Sequence, residues 1–339
     1  MTSAPQNTPI AANVAITLNA VLAAVADNRP LALCVKVDGA LGLPYGPFDP
    51  KRHRTFEIGV REWVTKQAHL SLGYVEQLYT FGDKGREAPL AALANSGADD
   101  RVVSVGYLAL AREAAAVNAA EAGWRDWYSF FPWEDWRMGE PTVLTARINP
   151  TLDAWIAKGG ADEDTRRARA AAAFGRDGAD WDEARTLERY ELMYEAGLIA
   201  EAFRDRREAG LEPPDAEEPK ANETGVAMIS DHRRILATAV GRLRGKLRYR
   251  PIIFELAPTT FTLLQLQEIT EAIVGFRFHK QNFRRSIEKS GFVERTDQTT
   301  QQAGGRPAAL FAVSDEGLRE NAATGLAIPR LRRDADAVS

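Results

Sequence analysis

Residues 246–313 read "KLRYRPIIFELAPTTFTLLQLQEITEAIVGFRFHKQNFRRSIEKSGFVERTDQTTQQAGGRPAALFAV". Pro258 and Thr259 end the apolar segment "PIIFEL", which reads as a strand or a turn. Thr262 is placed to cap a helix whose apolar residues, Leu263, Leu266, Ile269, Ile273 and Val274, recur at helical spacing. Gly275 ends it, because only a residue at ease with positive φ closes a helix this way. A short turn, Phe276 to His279, leads into a second helix over Lys280–Ser290, stopped by Gly291. On that helix Phe283 and Ile287 are four apart and face inward, and the rest of its surface is polar and basic. Two short strands follow, around Phe292–Arg295 and Ala308–Val313, joined by a polar loop with two glycines and Arg306 at its tip. Helix, turn, basic helix, hairpin is the order of a winged helix-turn-helix.

Charge separates this module from the rest. Between Asp231 and Leu310 there are fourteen lysines and arginines against seven acids, a net +7 in a chain whose total is −4. The remainder therefore carries −11. An acidic body with a basic C-terminal module suits one site for a polyanion, with the rest held off it. A basic helix alone is most simply a solvated face. Asn282 beside Arg284 and Arg285, with Arg306 in a Gly-Gly loop at hairpin position, favours double-stranded DNA. Asn suits adenine and Arg suits guanine on the major-groove edge. The expected DNA-contacting residues are Lys280, Gln281, Asn282, Arg284, Arg285 and Arg306, with Thr262 and Arg277 on phosphates.

At 339 residues the chain is long enough for two domains, and its apolar content is ordinary for a globular protein. Cys34 is the one cysteine, so no disulfide can form within the chain. None of the four histidines sits at a metal-ligand spacing, and neither a metal nor a cofactor is expected. The N-terminal stretch lacks a basic region and is interrupted by Asn13, Thr17, Asn19 and Asp27. No signal peptide or membrane helix is expected, and the cytoplasm is the expected compartment.

Residues 1–145 have an α+β pattern. Strands are expected at Val14–Val25 and Leu31–Val37, a helix from about Thr55 to Leu70, and strands at Tyr74–Tyr79 and Arg101–Leu110. From Trp124 to Trp136 the chain carries Trp124, Trp127, Tyr128, Phe130, Phe131, Trp133 and Trp136. Such a cluster is a core or an interface, with stacking on a purine as the functional alternative.

Three segments of this region, "LPYGPFD" (43–49), "VREWVTKQAHL" (60–70) and "YVEQLYTFGD" (74–83), resemble a Nudix domain. The Nudix signature, G-x5-E-x7-R-E-U-x-E-E-x-G-U, puts glutamates on a helix to hold Mg²⁺ against a diphosphate. Arg61 and Glu62 match its R-E pair and Trp63 its apolar position. The paired metal-binding glutamates fall on Thr65 and Lys66, the next glycine on Ala68, and the upstream glutamate on Arg52 or His53. A lysine there repels the ion, so the expectation is a Nudix scaffold without catalytic residues. With the C-terminal segments "FTLLQLQEITEAIVG", "NFRRSIEKSG" and "GRPAALF", the chain resembles the Nudix-related transcriptional regulators of NAD metabolism, the NrtR-like proteins. "ISDHRRILATAVGRLRGKLRY" (229–249) is similar to their linker helix. The resemblance implies an α+β chain: a Nudix-like α/β/α sandwich at 1–145, a linker helix at 229–250 and a winged helix at 251–316. It also implies a homodimer on a palindromic operator and an effector such as ADP-ribose or another NAD-related nucleotide. Candidate effector contacts are Tyr45, Arg61, Tyr79, Phe81 and Arg101.

Residues 146–228 depart from that family and read as a helical insertion. "DEDTRRARAAAAFG" (162–175) is a strong helix former ending at glycine. Residues 180–210 read as one helix with Ala184, Leu187, Tyr190, Tyr194, Leu198 and Ala202 on a stripe, packed on its own domain or on a second subunit. Residues 211–225 are Pro- and acid-rich and read as a loop, and 317–339 as a loose tail. The expected function is transcriptional regulation without a membrane partner. Two rivals stand beside it. One is a Nudix pyrophosphohydrolase acting on ADP-ribose or NADH, with Glu57 and Glu62 on metal; the other is a winged helix that contacts protein.

Overall fold

The computed structural model describes residues 14–83, 101–117, 119–300, 307–320, 325–326 and 331. Arg306, the hairpin tip at 301–306 and most of the tail lie outside the described residues. In order the elements are β1 (Val14–Ala26), β2 (Arg29–Val37), β3 (Ala40–Gly42), β4 (Tyr45–Pro47), α1 (Phe56–Ala68), β5 (Tyr74–Phe81), β6 (Arg101–Leu110) and β7 (Ala122–Asp126). Four insertion helices follow: α2 (Asn149–Ala157), α3 (Glu163–Phe174), α4 (Thr186–Glu195) and α5 (Ala200–Glu208). The chain continues through α6 (His232–Leu247), β8 (Thr260–Phe261), α7 (Leu263–Val274), α8 (Lys280–Ser290), β9 (Val293–Thr300), β10 (Ala308–Val313) and α9 (Asp315–Glu320).

The first sheet grows from β1. Asp27 and Asn28 both adopt positive φ, which suits a tight two-residue hairpin turn and returns the chain as β2. On its other edge β1 pairs in parallel with β6, from Val14 opposite Arg101 to Ala23 opposite Leu110. The spine runs β3-β2-β1-β6-β5, with β4 on β1 and β7 on β2. Alternation along β1 sends its residues to two layers. Leu18, Ala20 and Leu22 pack with Val60, Val64 and Ala68 of α1. Val21 and Ala23 share a core with Ile235, Ala239 and Leu243 of α6. The sheet is thus sandwiched between α1 and α6, the α/β/α layering expected. Thr55 caps α1 by accepting the amide hydrogen of Ile58 at 3.2 Å, and His69 in the left-handed region closes it.

The aromatic stretch is core. Trp127, Tyr128, Phe130, Phe131 and Trp133 are all buried, in two short 3-10 turns and the two residues between them. That removes the purine-stacking alternative for these rings.

The insertion corrects the single helix expected over 180–210. α4 ends and α5 begins around Gly197, which sits at φ 68 and donates to the Tyr194 carbonyl at 3.2 Å. A side chain there would also collide with Pro214, 2.6 Å from the added carbon. The stripe is therefore split: Tyr190 is buried from α4, Leu198 from the joint and Ala202 from α5. The helix expected at 162–175 forms as α3, closed by Gly175 at φ 59. α2, preceded by a π-helical turn at Leu144–Ile148, has no counterpart among the expected elements.

α6, the helix expected as the linker, is largely buried. Ten of its sixteen residues are buried, and it packs on β1, β5, β6, α4 and α7. No described helix is long and apolar enough to cross a membrane.

Candidate nucleic-acid interface and effector site

The C-terminal module forms as its residues dictate. "PIIFEL" is a 3-10 turn at Ile252–Glu255 and not a strand. Thr262 and Gln265 cap α7 reciprocally: the Thr262 hydroxyl accepts the Gln265 amide hydrogen at 3.1 Å, and the Gln265 side chain accepts from the Thr262 amide at 2.8 Å. Leu263, Leu266, Ile269, Ile273 and Val274 are all buried, and Gly275 closes the helix at φ 89. α8 spans the expected residues, with Phe283 and Ile287 buried and Gly291 at φ 73 behind it. Phe283 stacks on Phe278, rings 5.6 Å apart and 5° from parallel, which pins the helix to the turn before it. β8, β10 and β9 complete a three-stranded wing, antiparallel throughout.

Lys280, Gln281, Asn282, Arg284, Arg285 and Lys289 are exposed on α8. At about 100° per residue, Gln281, Arg285 and Lys289 form the ridge opposite Phe283 and Ile287. Arg284 is 3.1 Å from Glu288, one turn on, and both side chains remain largely in solvent. Arg277 is exposed, 3.4 Å from Glu271. Thr262 differs from these: it is 7% exposed and its hydroxyl serves the cap.

The charge count changes on folding. Arg233 and Arg244 are fully buried against Glu201 and Glu134. Arg234 pairs with Asp83, Lys246 with Glu76, and Arg248 with Glu183. Five of the fourteen cations counted in the sequence are thus spent inside the body. Among the described residues of the module, the cations open to a polyanion concentrate on α8 and the turn before it.

The five candidate effector residues divide. Tyr45 is buried, its ring edge-on to His232 at 4.9 Å. Phe81 is buried under the Arg234 guanidinium, with Tyr79 edge-on at 5.3 Å. Tyr79 itself is 61% exposed. Arg101 donates to the Gly82 carbonyl. Tyr45 and Phe81 meet α6, with Tyr79 beside Phe81, whereas alternation along β6 gives Arg101 the same parity as Val105 and Tyr107 in the α1 layer. Arg61 is on α1 itself, bonded to Glu57 at 2.8 Å and to the Gly73 carbonyl at 3.1 Å.

Asn19 is a residue that the motifs do not single out. It is 1% exposed on β1, between Tyr45 on β4 and Gly106 on β6 in the strand registers. Neither its Oδ1 nor its Nδ2 has a hydrogen-bond partner among the described residues. A buried amide left unpaired costs free energy, so such a group in a native fold invites a functional explanation. The sequence signal is one asparagine inside the apolar run "VAITLNAVLAAV".

On the α1 side, Glu62 pairs with Arg52 at 2.7 Å and with His53 at 3.2 Å. Glu57 pairs with Arg61. Among the described residues no three His, Cys, Asp or Glu side chains form a group that could hold a metal. A cleft of about 1220 Å³ lies elsewhere, within the insertion. Two of its cations are already matched, Arg169 with Glu195 at 2.6 Å and Lys158 with Asp215 at 2.8 Å.

Comparison with known proteins places these features. Residues 253–313 match the model of the NrtR DNA-binding winged helix domain. A 104-residue stretch is 40% identical to the ADPR responsive transcriptional repressor NtrR of Acinetobacter baylyi, covering 31% of this chain and 41% of that repressor. Shewanella oneidensis NrtR superposes with a TM-score of 0.52 at 18% identity, over 93% of this chain and 99% of that one. The same protein complexed with a 27mer DNA gives 0.51 at 18% identity, over 90% and 95%. At that identity the likeness establishes the fold, a Nudix-like sandwich followed by a winged helix.

Proposed function

We propose that this NrtR-like chain, a Nudix-like sandwich joined to a winged helix, is a DNA-binding transcriptional regulator controlled by an NAD-related nucleotide. The observation that carries the reading is the exposed ridge of α8, within the segment that matches the NrtR DNA-binding domain. α8 would lie in the major groove. Asn282 and one of the arginines would reach base edges, while Lys280, Gln281 and Arg277 would help set register on the backbone. Arg306, which lies outside the described residues, belongs to the same proposal.

ADP-ribose is the first effector to consider, because a relative over part of the chain is described as ADPR responsive. Its proposed contacts are Tyr45, Tyr79 and Phe81 on the α6 side of the sheet, the side to which alternation also turns Asn19, with Arg61 and Arg101 reached from the other layer. The ligand would act by population shift, binding one arrangement of α6 better than another. Two such chains on a palindromic operator would read two half-sites, with the spacing set by the dimer.

The Nudix-like domain would sense without hydrolysing. Thr65 and Lys66 stand where the signature has glutamates, and Glu57 and Glu62 are held by cations. Selection of bound duplexes from a random pool, followed by titration with and without ADP-ribose, tests the whole reading. Recovery of a palindromic site whose affinity changes with ADP-ribose supports it. Failure to retain any duplex at low salt removes it.

A further inference from the structure

Glu134 is almost wholly buried, and two guanidiniums from distant parts of the chain close on its carboxylate. Arg189, on α4 of the insertion, is bidentate: Nε lies 2.5 Å from Oε1 and Nη2 lies 3.0 Å from Oε2. Arg244, on α6, reaches Oε2 through Nη1. Burial alone would push the Glu134 carboxyl up, but the two guanidiniums outweigh it and hold it below the usual carboxylate range.

Each arginine also caps the C-terminal end of a helix, where carbonyls lack partners and the dipole favours a cation. Arg189 Nη1 donates to the Ala173 carbonyl at 2.9 Å, in the last turn of α3. Arg244 Nε donates to the Ile273 carbonyl at 2.8 Å, in the last turn of α7. One carboxylate therefore ties together insertion, core helix and winged helix.

The bonds around it converge on the same point. The Tyr128 hydroxyl donates to the Ala272 carbonyl at 2.8 Å and accepts from Arg244 Nη2 at 3.2 Å. The Trp136 amide donates to the Gly275 carbonyl at 2.6 Å. Trp136 in turn packs on Trp181 of the insertion, ring centres 4.8 Å apart. Gly275 is required twice over: its φ is 89, and a side chain there would come within 2.4 Å of the Glu134 carbonyl. From Gly275 to the start of α8 there are only four intervening residues, Phe276 to His279. Whatever holds the end of α7 therefore sets the direction in which α8 points.

We propose that Arg189, Glu134 and Arg244 form the joint that fixes the angle of α8 on the body, and that Arg189 makes the insertion a positioning part of the DNA-reading device. The consequence for DNA rests on the function proposed above, whereas the joint itself can be tested without DNA.

The test uses the full chain and two conservative variants. Arg189→Lys keeps the charge but cannot span both carboxylate oxygens and the neighbouring carbonyls. Tyr128→Phe leaves every charge in place and removes only the hydroxyl between Arg244 and α7. Hydrogen exchange without DNA is expected to quicken at least tenfold over residues 272–280 in both variants, with β1 and β6 unchanged. Affinity for a selected duplex should fall at least fivefold with an unchanged salt slope, because the phosphate-binding side chains are intact. If Arg189→Lys does not fold, Tyr128→Phe decides alone. Parent-like exchange over 272–280 in the folded variants would overturn the joint. Faster exchange in a chain whose parent binds no duplex would leave the joint standing and remove the DNA reading.

Discussion

His232 Nδ1 lies 2.9 Å from the amide nitrogen of Leu43 and accepts its hydrogen, so the imidazole at the start of α6 must be neutral at that atom. Burial, helped by the nearby Arg204 charge, lowers its pKa from 6.5 to about 3. The unfolded chain therefore binds a proton that the folded chain refuses between roughly pH 6.5 and pH 3. Stability present above that window is lost as pH falls through it, by at most about 1.4 kcal/mol per pH unit from this group. Urea unfolding at pH 7 and pH 5.5 should differ by about 1 kcal/mol from His232 alone. His232→Gln, whose amide oxygen can still accept from Leu43, should remove that part of the difference. An unchanged pH dependence in the variant would show that His232 is not buried in the neutral form.

The sequence suggests both a helix cap and a phosphate contact for Thr262, and the geometry shows the cap. As the N-cap of α7 it should contribute about 1 kcal/mol, absent in Thr262→Ala. The logarithmic salt slope of duplex binding should stay where it is. If Thr262 holds a phosphate as well, the interaction should weaken across all sequences. The urea midpoint and a salt titration of the same variant separate the two roles.

Asn19 makes a sharper case. An amide with neither polar atom paired carries a desolvation cost of about 1–3 kcal/mol. Asn19→Val should therefore leave the ligand-free chain as stable as the parent, or more so. If Asn19 meets the effector, the same substitution should also erase the rise in melting temperature produced by ADP-ribose. A destabilised variant with an intact ADP-ribose shift would place Asn19 in a purely structural role.

The local rules of the sequence suffice for the C-terminal module. Thr262, Gly275 and Gly291 mark helix ends by chemistry that needs no distant partner, and α8 begins and ends where they indicate. Residues 180–210 mislead because a helical stripe can be shared by two helices, here parted at Gly197 with its positive φ. The charge count misleads for a related reason. Nothing near Arg244 in the sequence reveals that its carboxylate, Glu134, lies 110 positions earlier. Arg61 looks like a pocket residue, yet the layer it occupies depends on how α1 crosses the sheet. Burial of long charged side chains is set by tertiary pairing, which periodicity does not report.

The Nudix-like domain should not turn over ADP-ribose. A carboxylate pair is needed to hold Mg²⁺ at a diphosphate, and Lys66 puts a cation there instead. Incubation with ADP-ribose and Mg²⁺ should release no AMP above background, whereas enzymatic turnover of about 1 s⁻¹ or more would restore the hydrolase reading.

DNA reading by α8 is probed at its centre by the Arg284→Ala/Arg285→Ala double variant, titrated onto a selected duplex over a range of salt. Both side chains are exposed, so stability should stay within about 0.5 kcal/mol of the parent. Binding should weaken and the salt slope should become shallower, by about 0.9 for each phosphate no longer neutralised. A folded double variant that binds the duplex with parental affinity and parental slope would rule out reading by this helix.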